Sequence, residues 1–123
     1  MASYQFIING KIKPYVRMTR RGKWVNPEAQ EYLSSQMAIG QQVKNQMAQN
    51  DWQMLPVKTP IKLEVTAILP ERLYTMDVDN IGKAIQDALQ GIVLKNDCWI
   101  TEVRFEKMLG PDYKTFIFVG TSS

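Results

Sequence analysis

Asp77-Val78-Asp79-Asn80 sets two carboxylates one residue apart, with Lys83 three positions beyond the asparagine and Asp97 further along the chain. On an extended strand, residues i and i+2 point to the same side. The spacing therefore predicts two aspartates projecting together at the end of a strand, their Cα atoms roughly 7 Å apart. Like charges that close repel unless a cation lies between them. Hard carboxylate oxygens suit magnesium, and magnesium held this way activates water and offsets charge on phosphoryl oxygens. Lys83, one helical turn on, is placed to neutralise charge at the same phosphate.

Two plainer readings compete. The stretch resembles a calcium loop at Asp77, Asp79 and Gly82, but Ile81 stands where another oxygen ligand is needed and Ala88 where the bidentate glutamate belongs. That excludes the calcium-loop reading. A solvated turn with Asn80 as helix cap is the other reading. Against it stands the whole constellation of Asp77, Asp79, Asn80, Lys83, Asp87 and Asp97. Lys83 and Asp87, four apart on a helix, share a face and are expected to pair.

Strands and helices must position these groups. Tyr4 to Ile8 reads as a strand ended by Asn9-Gly10. Lys11 to Val25 reads as a basic loop, with Pro14 and Gly22 as breaks and with Tyr15 and Trp24 among its cations. Those rings either stack on nucleic-acid bases or pack at the loop's foot. Asn26-Pro27-Glu28 is a helix start. The helix runs to about Gln49, with Ala29, Leu33, Met37, Gly40, Val43 and Met47 at helical spacing. Its other face is rich in glutamine (Gln30, Gln36, Gln42, Gln46), and part of it is open to service for a partner.

Ile61 to Leu69 alternates as a half-buried strand, and Pro70 to Met76 leads as a loop into the acidic motif. A second helix spans about Asn80 to Ile92, burying Ile81, Ala84, Ile85, Ala88, Leu89 and Ile92, with Gly91 near its end. Ile100 to Met108 and Lys114 to Val119 flank Gly110-Pro111-Asp112 and read as a hairpin. Phe116 to Val119 is apolar on both faces, as in a central or interface-buried strand. The order β-α-β-α-β-β predicts an α/β (α+β) domain, helices packed on a mixed sheet.

The chain has 123 residues, 45% hydrophobic and 22% charged, which fits one globular domain over 1–123. No apolar run reaches the length of a membrane span, and MASYQFIING lacks a signal pattern. A single cysteine, Cys98, and no histidine leave no disulfide framework, zinc site or histidine triad, and fit a reducing cytoplasm. Net charge is +3, yet Lys11, Lys13, Arg17, Arg20, Arg21 and Lys23 form one stretch without an acid. A basic segment on an otherwise slightly acidic body is the footprint of a phosphate-binding surface.

Asp77-Val78-Asp79-Asn80, Lys83, Asp87-Ala88-Leu89 and Asn96-Asp97 together resemble the RusA family of Holliday junction resolvases. The likeness is strong over Asp77 to Asp97 and looser elsewhere. It departs at Asn96, an amide where the family has an acid. The resemblance implies a magnesium-dependent endodeoxyribonuclease, bacterial or phage-encoded, that resolves four-way DNA junctions in recombination and repair. It implies Asp77, Asp79, Lys83 and Asp97 as catalytic residues, with the three aspartates as magnesium ligands. The turn after the second helix is expected to bring Asp97 back to the other two. Lys11, Lys13, Arg17, Arg20, Arg21 and Lys23 would face DNA. Paired incisions imply a two-fold homodimer. A junction-binding protein that has lost catalysis is the alternative. A phosphotransferase using an aspartyl nucleophile would need a larger body than 123 residues offer.

Overall fold

The computed structural model describes residues 3–13, 15, 27–70 and 76–121. Four strands, β1 (Ser3–Asn9), β2 (Ile61–Leu69), β3 (Ile100–Leu109) and β4 (Lys114–Thr121), form one sheet in the order β1-β4-β2-β3. Only β2 and β3 are parallel. Helix α1 (Pro27–Gln49) follows β1, and α2 (Val78–Leu89) makes the crossover between the parallel pair. The fold is the mixed-sheet α+β architecture and element order that the sequence predicts.

The pleat explains the layering. Tyr4, Phe6 and Ile8 of β1, Ile61 to Leu69 at every second position of β2, and Ile117 and Val119 of β4 are buried on one face. Tyr32, Ile39, Val43 and Met47 of α1 and Ala84, Ile85, Ala88 and Leu89 of α2 close over that face in the same cluster. Among the described residues the opposite face is uncovered, and Phe116 of β4 is 42% exposed there. β4 is thus a central strand, as its composition suggests.

Three expectations are corrected. The Gly110-Pro111-Asp112 break does not make a hairpin: β3 and β4 run past each other with β2 between them. Gly110 N–H bonds to Leu69 O as the chain steps over the end of β2. Turn chemistry alone does not reveal which strand fills the gap. In α1 the buried stripe passes through Tyr32 and Ile39, while Met37 is 77% exposed. The helix is rotated so that its largest ring faces α2. In α2 the helix begins at Val78, with Asp77 in the cap position and Asn80 already inside the first turn.

The glutamines of α1 serve the chain's own edge. Gln46 Oε1 accepts from Ile7 N–H and its Nε2 donates to Ile7 O; Gln42 does the same for Asn9. Four helical residues advance about 6 Å, close to the two-residue repeat of a strand. Carboxamides four apart therefore match β1's outward groups two apart, in place of a neighbouring strand. Gln36 Nε2 donates to Ala84 O of α2.

Gly82 and Gly91 let α2 sit and stop where it does. A Cβ on Gly82 would lie 2.3 Å from Phe105 ring carbons of β3, so glycine permits the close approach of helix to strand. Gly91, at φ +83°, ends the helix in the left-handed region.

Candidate active site

Asp77 occupies the cap of α2 with extended backbone angles and makes no side-chain capping bond. Asp79 lies in the first turn, where a carboxylate is favoured by the helix dipole. Both are exposed. Because the helix starts two residues earlier than the strand reading assumes, the pair does not share a strand face. Residues two apart in a helix do not face each other, whereas Asp79 and Lys83, four apart, do.

Lys83 is exposed on that face. Asp87, one further turn along, is not its partner. Asp87 Oδ2 instead accepts a 2.8 Å bond from the hydroxyl of Tyr32 on α1. Burial, and then that bond, push the Tyr32 phenol well above its ordinary pKa. The Lys83 ammonium lies over the Tyr15 ring, 5.5 Å from its centroid, within the range of a cation–π contact.

Tyr15 belongs to the start of the basic segment. Its N–H donates to Asn80 O at 3.0 Å, and its ring meets Tyr32 edge-on at 5.9 Å. This ring packs at the loop's foot. Gly10 N–H bonds to Tyr113 O, and Lys11 lies over the Tyr113 ring at 5.5 Å. Tyr113 in turn packs on Ala67, Leu69, Met76 and Ile81. The described start of the segment, residues 11–13 and 15, therefore lies at the end of the sheet where α2 begins. Lys13 is paired with Glu31 at 3.4 Å, with both groups largely exposed. Arg17, Arg20, Arg21, Lys23 and Trp24 lie outside the described residues.

Asp97 is at the other end of α2. It opens a short 3-10 turn, Asp97–Trp99, leading straight into β3, and Gln90 Nε2, beyond the helix's last residue, is 3.5 Å from its Oδ2. The helix spans about 18 Å from its start to this point. The expected return of Asp97 to Asp77 and Asp79 within one chain does not occur, because a parallel crossover delivers the chain to the opposite end of the sheet. Asn96 is a turn residue: its Oδ1 accepts from Cys98 N–H at 3.0 Å. Among the described residues no three acidic or other metal-ligating side chains stand close enough to hold one ion.

What does return beside Asp77 is Lys107, near the far end of β3. Its Nζ donates to Met76 O at 2.7 Å, one residue before Asp77. The sheet register puts Lys107 in the row Ile8–Thr115–Ala67–Lys107 on the helix-covered face. Sequence reasoning missed it, although a lysine in phase with Val103 and Phe105 was the available signal.

Residues 9–119 match the family model of endodeoxyribonuclease RusA. The chain belongs to that family. No curated protein matches it. The RusA match covers most of the chain, including the basic segment, both helices, β2, β3 and β4 as far as Val119, but only Asn9 of β1. It makes this a chain of an endodeoxyribonuclease family, and the acidic start of α2 is the place to look for its chemistry. No helix among the described residues is long and apolar enough to cross a membrane.

Proposed function

We propose that this RusA-family chain is a magnesium-dependent endodeoxyribonuclease that resolves four-way DNA junctions by paired phosphodiester hydrolysis, acting as a homodimer in recombination and repair. The observation that carries the reading is the 3.0 Å bond from Tyr15 N–H to Asn80 O. It fixes Tyr15, at the start of a stretch whose sequence holds six cations and no acid, beside the helix turn that follows Asp77 and bears Asp79. A carboxylate nuclease must bring acidic side chains up to a polyanion, and adjacent basic residues offset that repulsion.

Asp77 and Asp79 fit magnesium in kind: hard oxygens, exposed, with no side-chain capping bond at Asp77. Among the described residues they do not complete a three-carboxylate site within one chain. The separation of Asp97 from the other two supports the dimer reading, since Asp97 joins an ion held by Asp77 and Asp79 only if it comes from a second chain. Bound metal would supply an activated water and charge relief on the phosphoryl oxygens. The chain's own part is distinct. Asp77 and Asp79 would hold the ion, Lys83 places a positive charge where negative charge grows on the phosphate, and the basic segment orients the duplex arms.

The decisive assay uses a mobile synthetic junction labelled on each strand in turn. Symmetric nicks on opposing strands, dependent on magnesium, are the expected product. Binding without nicks at any magnesium concentration would instead favour the junction-binding alternative, which the incomplete single-chain cluster also accommodates.

A further inference from the structure

We propose that Tyr15 is a positioning residue for Lys83, holding its ammonium over an uncharged ring so that its full charge stays available to DNA phosphate. This rests on the nuclease reading of Lys83. Left to its helix, Lys83 has an obvious partner in Asp87, four residues on. A lysine neutralised by that carboxylate would offer a phosphate little net charge. The fold gives that carboxylate another partner. Tyr32, buried on α1, donates its hydroxyl to Asp87 Oδ2 at 2.8 Å. The Lys83 Nζ is found instead 5.5 Å from the centre of the Tyr15 ring.

The ring is itself fixed on two sides. Tyr15 N–H is bonded to Asn80 O, and the Tyr15 ring meets Tyr32 edge-on, 86° between planes. Tyr32 thus both occupies Asp87 and backs the ring that takes Lys83. A cation–π contact attracts the ammonium without cancelling its charge. It also limits the wandering of a four-carbon stem that is otherwise costly to order. The same backbone bond ties the first turn of α2 to Tyr15 at the start of the basic segment.

The backbone bond survives any side-chain replacement, so Tyr15→Leu removes the ring alone. In proton spectra of protein carrying isotopically labelled lysine, the Lys83 ε-methylene is identified by its loss in Lys83→Gln. Ring current should shift it upfield in the wild type and in Tyr15→Phe, and Tyr15→Leu should return it to the position of lysines away from any ring. An unshifted wild-type signal, or one that Tyr15→Leu leaves in place, overturns the proposal.

Single-turnover junction cleavage adds the mechanistic reading. Tyr15→Leu should slow cleavage about fivefold, the scale of an exposed cation–π contact, with junction affinity unchanged and with Tyr15→Phe close to wild type. In a Lys83→Ala background, Tyr15→Leu should cause no further loss; full additivity would overturn the link. A wild-type protein that cuts no junction defeats the nuclease reading instead, and the lysine signal then decides by itself whether Tyr15 holds Lys83.

Discussion

Lys83 and Asp87 show how one helix face divides its charges between two tasks. Asp87 accepts from the Tyr32 hydroxyl, and the Lys83 ammonium lies over a neutral ring. If Lys83 stabilises charge in the transition state, Lys83→Ala should cut single-turnover cleavage by roughly 10²- to 10³-fold with little change in junction affinity; a near-normal rate would make it a surface residue. Asp77→Asn and Asp79→Asn should each abolish cleavage while junction binding holds or tightens, since one less negative charge faces phosphate. Wild-type rates in either variant would remove that residue from the site. Tyr32 carries a pH signature. Its phenol is pushed above the ordinary value of 10.0, first by burial and then by Asp87. Its contribution to stability is fully present below pH 10.0. Above that, the unfolded chain gives up the proton while the folded chain keeps it, so stability falls as pH rises. Denaturant midpoints measured across this alkaline range should show that fall in the wild type, and Tyr32→Phe should flatten it.

At the scale of elements, α1 holds the sheet edge as well as covering its core face. Gln42 and Gln46 take up the outward N–H and C=O groups of Ile7 and Asn9, which would otherwise leave β1 open to pairing with another chain. Gln46→Met keeps the stem and removes both bonds to Ile7. The expected cost is about 1–3 kcal/mol for two exposed bonds, read as a lower denaturant midpoint, with faster hydrogen exchange at the Ile7 amide. An unchanged exchange rate would mean that the carboxamide does not protect the edge. The polar face of α1 leaves this purpose hidden in sequence, because a glutamine facing solvent and one facing a strand edge have the same spacing.

For the whole molecule, the arrangement to explain is what gathers at the end of the sheet where α2 begins. β1 delivers the basic segment, β2 leads toward the acidic motif, and the end of β3 brings Lys107 to Met76 O. Arg17, Arg20, Arg21 and Lys23 changed together to alanine should weaken junction binding and flatten its salt dependence by up to about 0.9 log units per lost phosphate contact. Titrations at several salt concentrations give the slope directly, and an unchanged slope would place these four away from DNA. Asp97 belongs to this scale as well, since its distance from Asp77 is set by the length of a parallel crossover.

Strand and helix identities were legible in the chain because they depend on short-range periodicity: alternation in Ile61 to Leu69, and three-and-four spacing in α1 and α2. The acidic motif, its lysine and the basic segment were legible too, since they are contiguous runs of residue type. Tertiary structure alone decided that β2 separates β3 from β4, that Tyr32 rather than Lys83 holds Asp87, that Tyr15 lies beneath Lys83, and that Lys107 and not Asp97 comes back beside Asp77. Each of these joins residues that local pattern does not link. Strand order and crossover direction follow from how both helices bury one face of a single sheet, and that is a property of the packed chain rather than of any window along it.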